Sequence, residues 1–489
     1  MMELEYKTPA GESSRLMLDA EARAALWRRV VEAVEAYADD VHTLPVRPEL
    51  EPGAVRAALA SVDFHKETAP DAAIDFVVGL MRKYQTHNAH PRYFGLYDPA
   101  TTTMGVAAEA LAAAFNPQLA VWSQSPAAVE MEQHLVRAFG ERFGYRAAQT
   151  EGTFTSGGAE ANHTAVLTAL TRAFPDFAAK GLRALDAQPV LYVSSEAHHS
   201  LLKAARMCGL GSEAVREIPV DGRFRMDAGA LSRQIARDRS QWFAPFMVVA
   251  TAGTTNAGAI DPVGAIADVA EGAGLWLHVD AAWGGAAALV PEMRHLLEGV
   301  GRADSITFDP HKWLSVPRGA GLYLTRRAGV LNRTFGVRPA YMPLKKTEGM
   351  GVVDPFSHSM QWSRRFIGLR VFLSLLVAGW DGYAAAVRHQ VETARHLASE
   401  LGRAGWEVVN DPSLAVVCFF DRARAEGGDA DYLEALAEHV RASGAAWVST
   451  TLVAGRSVLR ACVTNYRTEK ADVDALVSAL VEARRALTV

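Results

Sequence analysis

The sequence predicts an α/β protein: a large domain built on a mostly parallel sheet, a small α+β C-terminal domain and a helical N-terminal segment. Three observations predict it. From about Thr153, short β-branched or aromatic runs alternate with helical segments. The first hundred residues carry helical periodicity, and a strand–helix mixture returns after Trp380. Strands that are apolar on both faces belong to a parallel sheet covered on both sides. A chain of 489 residues has room for two or three structural units. The expected division is a helical arm over 1–100, a large domain over 101–375 and a small domain over 376–489.

In chain order, Glu21 to Val41 forms the first helix, with Leu26, Val30, Val31 and Val34 at helical spacing, and Ala73 to Tyr84 a second. Such an N-terminal segment, with no evident place to pack, hints at an oligomer interface. The runs Val190–Val193, Phe246–Ala252, Leu275–Asp280 and Ser305–Phe308 read as strands. Between the second and third, Asp261 caps a helix that has Pro262 at its first position. After a helix over Tyr383–Gly402, strands at Trp406–Val409, Ala415–Phe420 and Ser457–Val463 enclose a helix at Tyr432–Ser443, and a last helix runs from about Ala471.

Composition excludes several classes. Hydrophobic residues are 49% and charged residues 21%, so wholesale disorder is excluded. Acids outnumber bases 55 to 50, and a net charge of -5 leaves no basic excess for a nucleic-acid partner. Cys208, Cys418 and Cys462 lie far apart without CxxC spacing, which argues against disulfides and structural zinc. The segment Met1 to Lys7 carries acids where a signal peptide has its apolar core. Apolar stretches such as Val371–Ala378 fall short of the roughly 20 residues of a membrane span. A cytoplasmic protein with no membrane partner is expected.

Four motifs carry chemistry. In Ser305-Ile306-Thr307-Phe308-Asp309-Pro310-His311-Lys312-Trp313, Lys312 stands just beyond an apolar strand. It either reaches solvent or acts as an amine nucleophile in its neutral form. Asp280 ends a strand ahead of small residues; it is a helix cap, a metal ligand or the counter-ion of a cationic ring nitrogen. No second carboxylate or histidine stands nearby at metal-ligand spacing, so no metal is expected. Gly157 and Gly158, in Thr155–Asn162, open an Ala-rich helix, as a turn or as a phosphate cradle of backbone N–H groups. His198 and His199 follow a strand, as a solvated pair or as an imidazole stacked on an aromatic ligand. Together a phosphate cradle, a stacking imidazole, a carboxylate for a pyridinium nitrogen and a Schiff-base lysine are the parts that hold pyridoxal phosphate.

On these residues the sequence resembles the pyridoxal-phosphate-dependent group II amino-acid decarboxylases, which include aromatic-L-amino-acid and glutamate decarboxylases. The likeness runs through Ala250–Thr255, His278–Ala282, Pro291–Leu297 and Asp304–Trp313, back to His90–Gly95 and forward to Leu459–Cys462. The resemblance implies fold type I, the aspartate-aminotransferase-like architecture, and a homodimer with its active site near the subunit interface. It implies Lys312 as the Schiff-base lysine, Asp280 at the pyridine nitrogen, and Ala282 and His198 on opposite faces of the ring. Gly157, Gly158, Ala159 and His311 would hold the phosphate, and Thr255 would lie near the ring hydroxyl. Asp309 departs from the asparagine common there and, as a carboxylate repelled by phosphate, is not assigned to it.

In the reaction that the resemblance implies, carbon dioxide leaves the substrate's Cα, and a proton must then return to that carbon. Phe335 to Ser359 reads as a long lid-like loop. Its Tyr341 matches the family's mobile-loop tyrosine, the implied proton donor; relatives with phenylalanine there tend toward oxidative aldehyde formation. Leu96, Tyr97, Ala120 and Trp122 fall near the region lining the family's substrate pocket, with Ala120 where the aromatic decarboxylases carry a bulky side chain. Arg364-Arg365 reads either as a site for a side-chain carboxylate or as a solvent or interface pair. An aromatic or bulky amino acid is favoured over glutamate. A related lyase or aldehyde-forming activity is the alternative within enzymes, and a cofactor-binding scaffold without catalysis the alternative outside them.

Overall fold

Apolar runs become the interior strands of one sheet. The structure is a computed structural model that describes residues 16–341, 349–424 and 429–487. Seven strands, β1 (Glu151–Thr155), β2 (Pro189–Ser194), β3 (Val215–Ile218), β4 (Ala244–Thr251), β5 (Trp276–Asp280), β6 (Ser305–Phe308) and β7 (Gly321–Thr325), lie in the order β1-β7-β6-β5-β4-β2-β3. From β6 to β3 all neighbours are parallel, while β7 pairs antiparallel with both β6 and β1. Every residue of β2, β5, β6 and β7 is buried, as a sheet covered on both faces requires. The α/β class with a mostly parallel sheet is thus the observed one.

Strand bounds agree with the sequence to within two residues at β2, β4, β5 and β6. The periodic pattern does not reveal β1, β3 or β7. The expected role of Asp261 is corrected: the helix starts at Val263 with Pro262 before it. The Asp261 carboxylate is buried and accepts from the backbone N–H of Met226 (2.7 Å) and of Thr251 (2.8 Å). It ties the loop after β3 to the end of β4 rather than capping a helix.

The C-terminal part adds an antiparallel sheet, β8 (Trp406–Val408), β9 (Val416–Asp421), β10 (Ser449–Val453) and β11 (Arg456–Cys462), in the order β10-β11-β9-β8. Helix Ala430–Ala442 packs against it, and helix Lys470–Ala486 packs on that helix and on Gly368–Arg403. The helix Gly368–Arg403 leads from the large sheet into this layer and kinks at Gly379 (φ 62°), so the expected boundary at 375 falls inside it. By length and composition this helix is apolar enough to cross a membrane. Its Val387, Ala394, Leu397 and Leu401 are core residues, and its Gln390 is buried and bonded to Trp313 and Thr464, so here it packs in protein.

At the other end, helices Ala20–Asp40 and Pro70–Tyr84 lie against each other, tied by Arg29–Asp75 (2.6 Å) and Arg82–Asp40 (2.6 Å). Neither buries any of its residues.

Candidate active site

Parallel strands gather polar residues at their C-terminal ends, where the backbone stops and loops begin. β5 delivers Asp280, β6 leads into Asp309 and Lys312, β4 ends at Thr251 and leads to Thr255, and β2 leads into the loop of His198. The helix Gly158–Ala173 points its N-terminus at the same place. Gly158, Ala159, His198, Thr255, Asp280, Ala282 and Lys312 line one cavity. Asn162, Thr251, Gly253, Trp283 and Asp309 complete its wall.

Asp280 is 4% exposed, and both of its oxygens are held. Oδ2 accepts from Asn162 Nδ2 at 2.8 Å, and Oδ1 accepts from the Ala282 N–H at 3.1 Å. At the helix start, the first N–H groups have no partner within the helix. A Cβ on Gly158 would stand 2.8 Å from Asp309 Oδ2, so a side chain on this turn would displace the Asp309 carboxylate. Lys312 Nζ lies 3.0 Å from Asp309 Oδ2. The carboxylate that departs from the family pattern is therefore the ion-pair partner of the lysine. His311 bonds through Nδ1 to the Ala320 carbonyl (2.8 Å), burial lowers its pKa, and its Cε1 would stand 3.3 Å from a Cβ on Gly157. His198 Nδ1 accepts from the Ser200 N–H (3.2 Å).

Other candidates stand apart from this cavity. Tyr97 is buried behind it, stacked on Trp283 (centroids 4.4 Å apart) with its hydroxyl donating to the Thr255 carbonyl (2.9 Å). Leu96 is exposed; Ala120 is buried and its carbonyl accepts from the Phe356 N–H; the Trp122 indole donates to Glu130 (2.9 Å). None of these four lines the cavity. Tyr341 is 75% exposed with its ring beside Trp362 (6.2 Å), and residues 342–348 of the predicted lid lie outside the described residues. Arg364 is neither a free anion site nor a surface group: it forms a buried two-pronged pair with Glu132. Arg365 pairs with Glu109 (2.5 Å).

Residues with no assigned role in the sequence emerge here. Asn162 and His278 sit directly behind Asp280, each buried. The signal that could have found them is spacing: His278 is two residues before Asp280 on a strand, hence on the same face, and Asn162 is one turn into the helix that the glycines open.

The residues present fit pyridoxal phosphate. Buried polar atoms in native proteins are nearly always satisfied. Yet Thr251 Oγ1, Trp283 Nε1 and Asp309 Oδ1, all on this one cavity, have no hydrogen-bond partner among the described residues. A carboxylate, a lysine amine and a helix N-terminus meeting at such unsatisfied atoms match a ligand with a ring nitrogen, an aldehyde and a phosphate.

Residues 57–422 match the family model described as the pyridoxal-dependent decarboxylase conserved domain. The chain is 31% identical to the aromatic-L-amino-acid decarboxylase of Bacillus atrophaeus, over 93% of this chain and 94% of that one. It is 33% identical to the cysteine sulfinic acid decarboxylase of Homo sapiens, over 73% of each. The crystal structure of Oryza sativa TDC with PLP and tryptamine superposes with a TM-score of 0.90 at 27% identity, covering 96% of this chain and 99% of that one. The chain therefore belongs to the pyridoxal-dependent decarboxylases, and it is a fold-type I, pyridoxal-phosphate-dependent amino-acid carboxy-lyase.

Proposed function

We propose that this decarboxylase converts an aromatic or other bulky, uncharged L-amino acid to its amine, with Lys312, Asp280, His198 and Tyr341 in the working roles. The observation that carries the assignment of roles is the single cavity on which Lys312, Asp280, His198, Ala282 and the glycine-opened helix converge. An uncharged substrate side chain is supported by the engagement of Arg364 with Glu132 and of Arg365 with Glu109, which leaves neither to receive a second carboxylate. The near full-length likeness to an aromatic-L-amino-acid decarboxylase is in keeping with this reading.

When bound, pyridoxal phosphate supplies an electron-accepting ring for the bond broken at the substrate's Cα. Lys312 would hold it through its amine, and Asp280 would face the ring nitrogen. His198 and Ala282 would cover the two faces. The N–H groups of Gly157, Gly158 and Ala159, with His311, would take the phosphate, and Thr255 would lie near the ring hydroxyl. Asp309 holds the Lys312 amine at the cavity wall, 3.0 Å from its own Oδ2. Trp283, with Tyr97 stacked behind it, walls the same space and excludes water. Tyr341 returns the proton to Cα, and a tyrosine at this position favours amine over aldehyde.

A homodimer with the active site near the interface is supported by the N-terminal helices, which bury nothing and leave Trp27 (50%), Val31 (56%) and Val77 (48%) exposed. In this reading residues 1–100 are the dimerising arm, and the cofactor domain passes into the small domain through the helix Gly368–Arg403, in a cytoplasmic enzyme. The test is a carbon-dioxide-release screen of the standard amino acids and cysteine sulfinate with added pyridoxal phosphate. Fastest release from tryptophan, tyrosine or phenylalanine is expected; fastest release from glutamate or cysteine sulfinate overturns the substrate assignment.

A further inference from the structure

We infer that Asn162 is a positioning residue for the cofactor, the hub of a buried one-way hydrogen-bond relay that aims the Asp280 carboxylate into the cavity. The inference rests on the role proposed above for Asp280.

The relay runs through five side chains. Trp276 Nε1 lies 2.8 Å from Ser305 Oγ, and Ser305 Oγ lies 2.8 Å from His278 Nδ1. His278 Nε2 is 3.1 Å from Asn162 Oδ1, and Asn162 Nδ2 is 2.8 Å from Asp280 Oδ2. All five residues are buried. Its two ends fix the direction of every bond. An indole N–H can only donate and an ionised carboxylate can only accept. Asn162 must therefore present its amide N–H to Asp280 and its carbonyl to His278. His278 is neutral, because full burial pushes its pKa down to about 4. One ring nitrogen then donates and the other accepts, so Nε2 carries the proton and Nδ1 receives the Ser305 hydroxyl.

Asn162 has no spare capacity. Its second N–H donates to Ser200 Oγ (2.8 Å), and its carbonyl also accepts from Thr307 Oγ1 (2.8 Å). Two donors and two lone pairs are all that an amide has. Ser200 in turn donates its backbone N–H to His198 Nδ1, so one amide fixes both Asp280 and the turn that carries His198. His198, Lys312 and Asp309 are the other ionisable groups on the cavity wall, and none of them bonds to Asp280 among the described residues. Among the described residues, apart from the Ala282 N–H, the Asp280 carboxylate is oriented by Asn162 alone.

The test follows cofactor retention and ring orientation in purified holoenzyme, without an activity assay. Loss of pyridoxal phosphate after dilution and the visible circular dichroism of the bound cofactor are compared in Asn162→Leu, Asn162→Asp, Thr307→Val and Asp280→Asn. Removing one donor to a buried charge corresponds to about tenfold or more. Asn162→Leu is expected to release the cofactor at least about tenfold faster with a diminished visible signal. Asn162→Asp keeps the shape without the donor and is expected to lose at least as much, which packing alone does not produce. Thr307→Val removes only one bond to the hub and is expected to show a smaller effect of the same sign. Parental release and dichroism in a folded Asn162→Leu overturn the inference; if that variant does not fold, parental behaviour of Thr307→Val does so. If Asp280→Asn is also parental, the role of Asp280 itself falls, whereas loss in Asp280→Asn alone removes only the relay.

Discussion

Buried histidines make folding stability fall in mild acid, by an amount set by their surroundings. His90 and His278 are both fully buried, and burial pushes each from an ordinary 6.5 down to about 4. The folded chain therefore binds fewer protons than the unfolded chain between those two values. Stability is complete above pH 6.5 and is lost as pH falls toward 4. At pH 5 each histidine removes about 2 kcal/mol relative to pH 7. Asp261 works against them. Burial raises its carboxyl from 3.8 to about 6, so the folded chain takes that proton first and gains about 1 kcal/mol at pH 5. His358, likewise pushed by burial down to about 4, removes about 2 kcal/mol more. A net loss of about 5 kcal/mol follows, and at about 1 kcal/mol per degree for a chain of this size the unfolding midpoint drops by about 5 °C. His90 offers a clean perturbation because it stands apart from the cavity, its Nδ1 accepting only the Arg92 N–H (2.9 Å). His90→Gln is expected to remove one histidine's share, so that its midpoint falls about 2 °C less than the parent's between pH 7 and pH 5. The assay is thermal unfolding followed by circular dichroism at both pH values. Equal drops in parent and variant refute the reasoning, whatever the variant's stability at pH 7.

Three further outcomes are expected. Lys312→Ala abolishes the visible absorbance that pyridoxal phosphate gains on attachment to a lysine, and a retained band moves that attachment elsewhere. Tyr341→Phe keeps cofactor binding but loses amine formation while aldehyde rises, as product analysis reads; an unchanged amine yield removes Tyr341 from the proton return. Glu132→Ala strands Arg364, 2% exposed, without its partner and costs about 3–5 kcal/mol, seen as an unfolding midpoint lower by several degrees. A midpoint within a degree of the parent's contradicts the buried pair.

The sequence exposes what is decided locally. It shows β6 at its observed bounds, and β2, β4 and β5 nearly so, because an apolar run buried on both faces needs no partner to be recognised. β1 (Glu-Gly-Thr-Phe-Thr) and β7 (Gly-Leu-Tyr-Leu-Thr) carry glycine and threonine, and β3 is a short edge strand bearing Arg216 and Glu217. Their strand character comes from their neighbours in the sheet. Asp261 shows the same limit in reverse: Asp-Pro before a helix is a sound local signal, but the backbone N–H groups that claim this carboxylate come from Met226 and Thr251. Arg364 misleads for the same reason, since Glu132 lies far away in sequence.

The site divides along this line too. Asp280, Lys312 and the paired glycines each follow an element that the sequence displays, so strand ends and a helix start locate them. Tyr97 lies close in sequence to the quoted motif His90–Gly95, but its position behind Trp283 is a long-range result. Asp309 sharpens the point. Along the sequence it is an isolated carboxylate beside a phosphate cradle, and repulsion is the only interaction that can be expected of it. Three residues on, around the tight turn after β6, Lys312 brings its ammonium within 3.0 Å, and the pair stands at the cavity as one charge-balanced unit. Before Lys312 attaches to the cofactor, the cradle therefore meets an ion pair rather than a bare anion. The positive end of the Gly158–Ala173 helix dipole and its free N–H groups then remain open to phosphate. A departure from the family pattern that argues against a phosphate site in one dimension is compatible with cofactor entry in three, because the Lys312 ammonium offsets Asp309 until the cofactor takes up that amine.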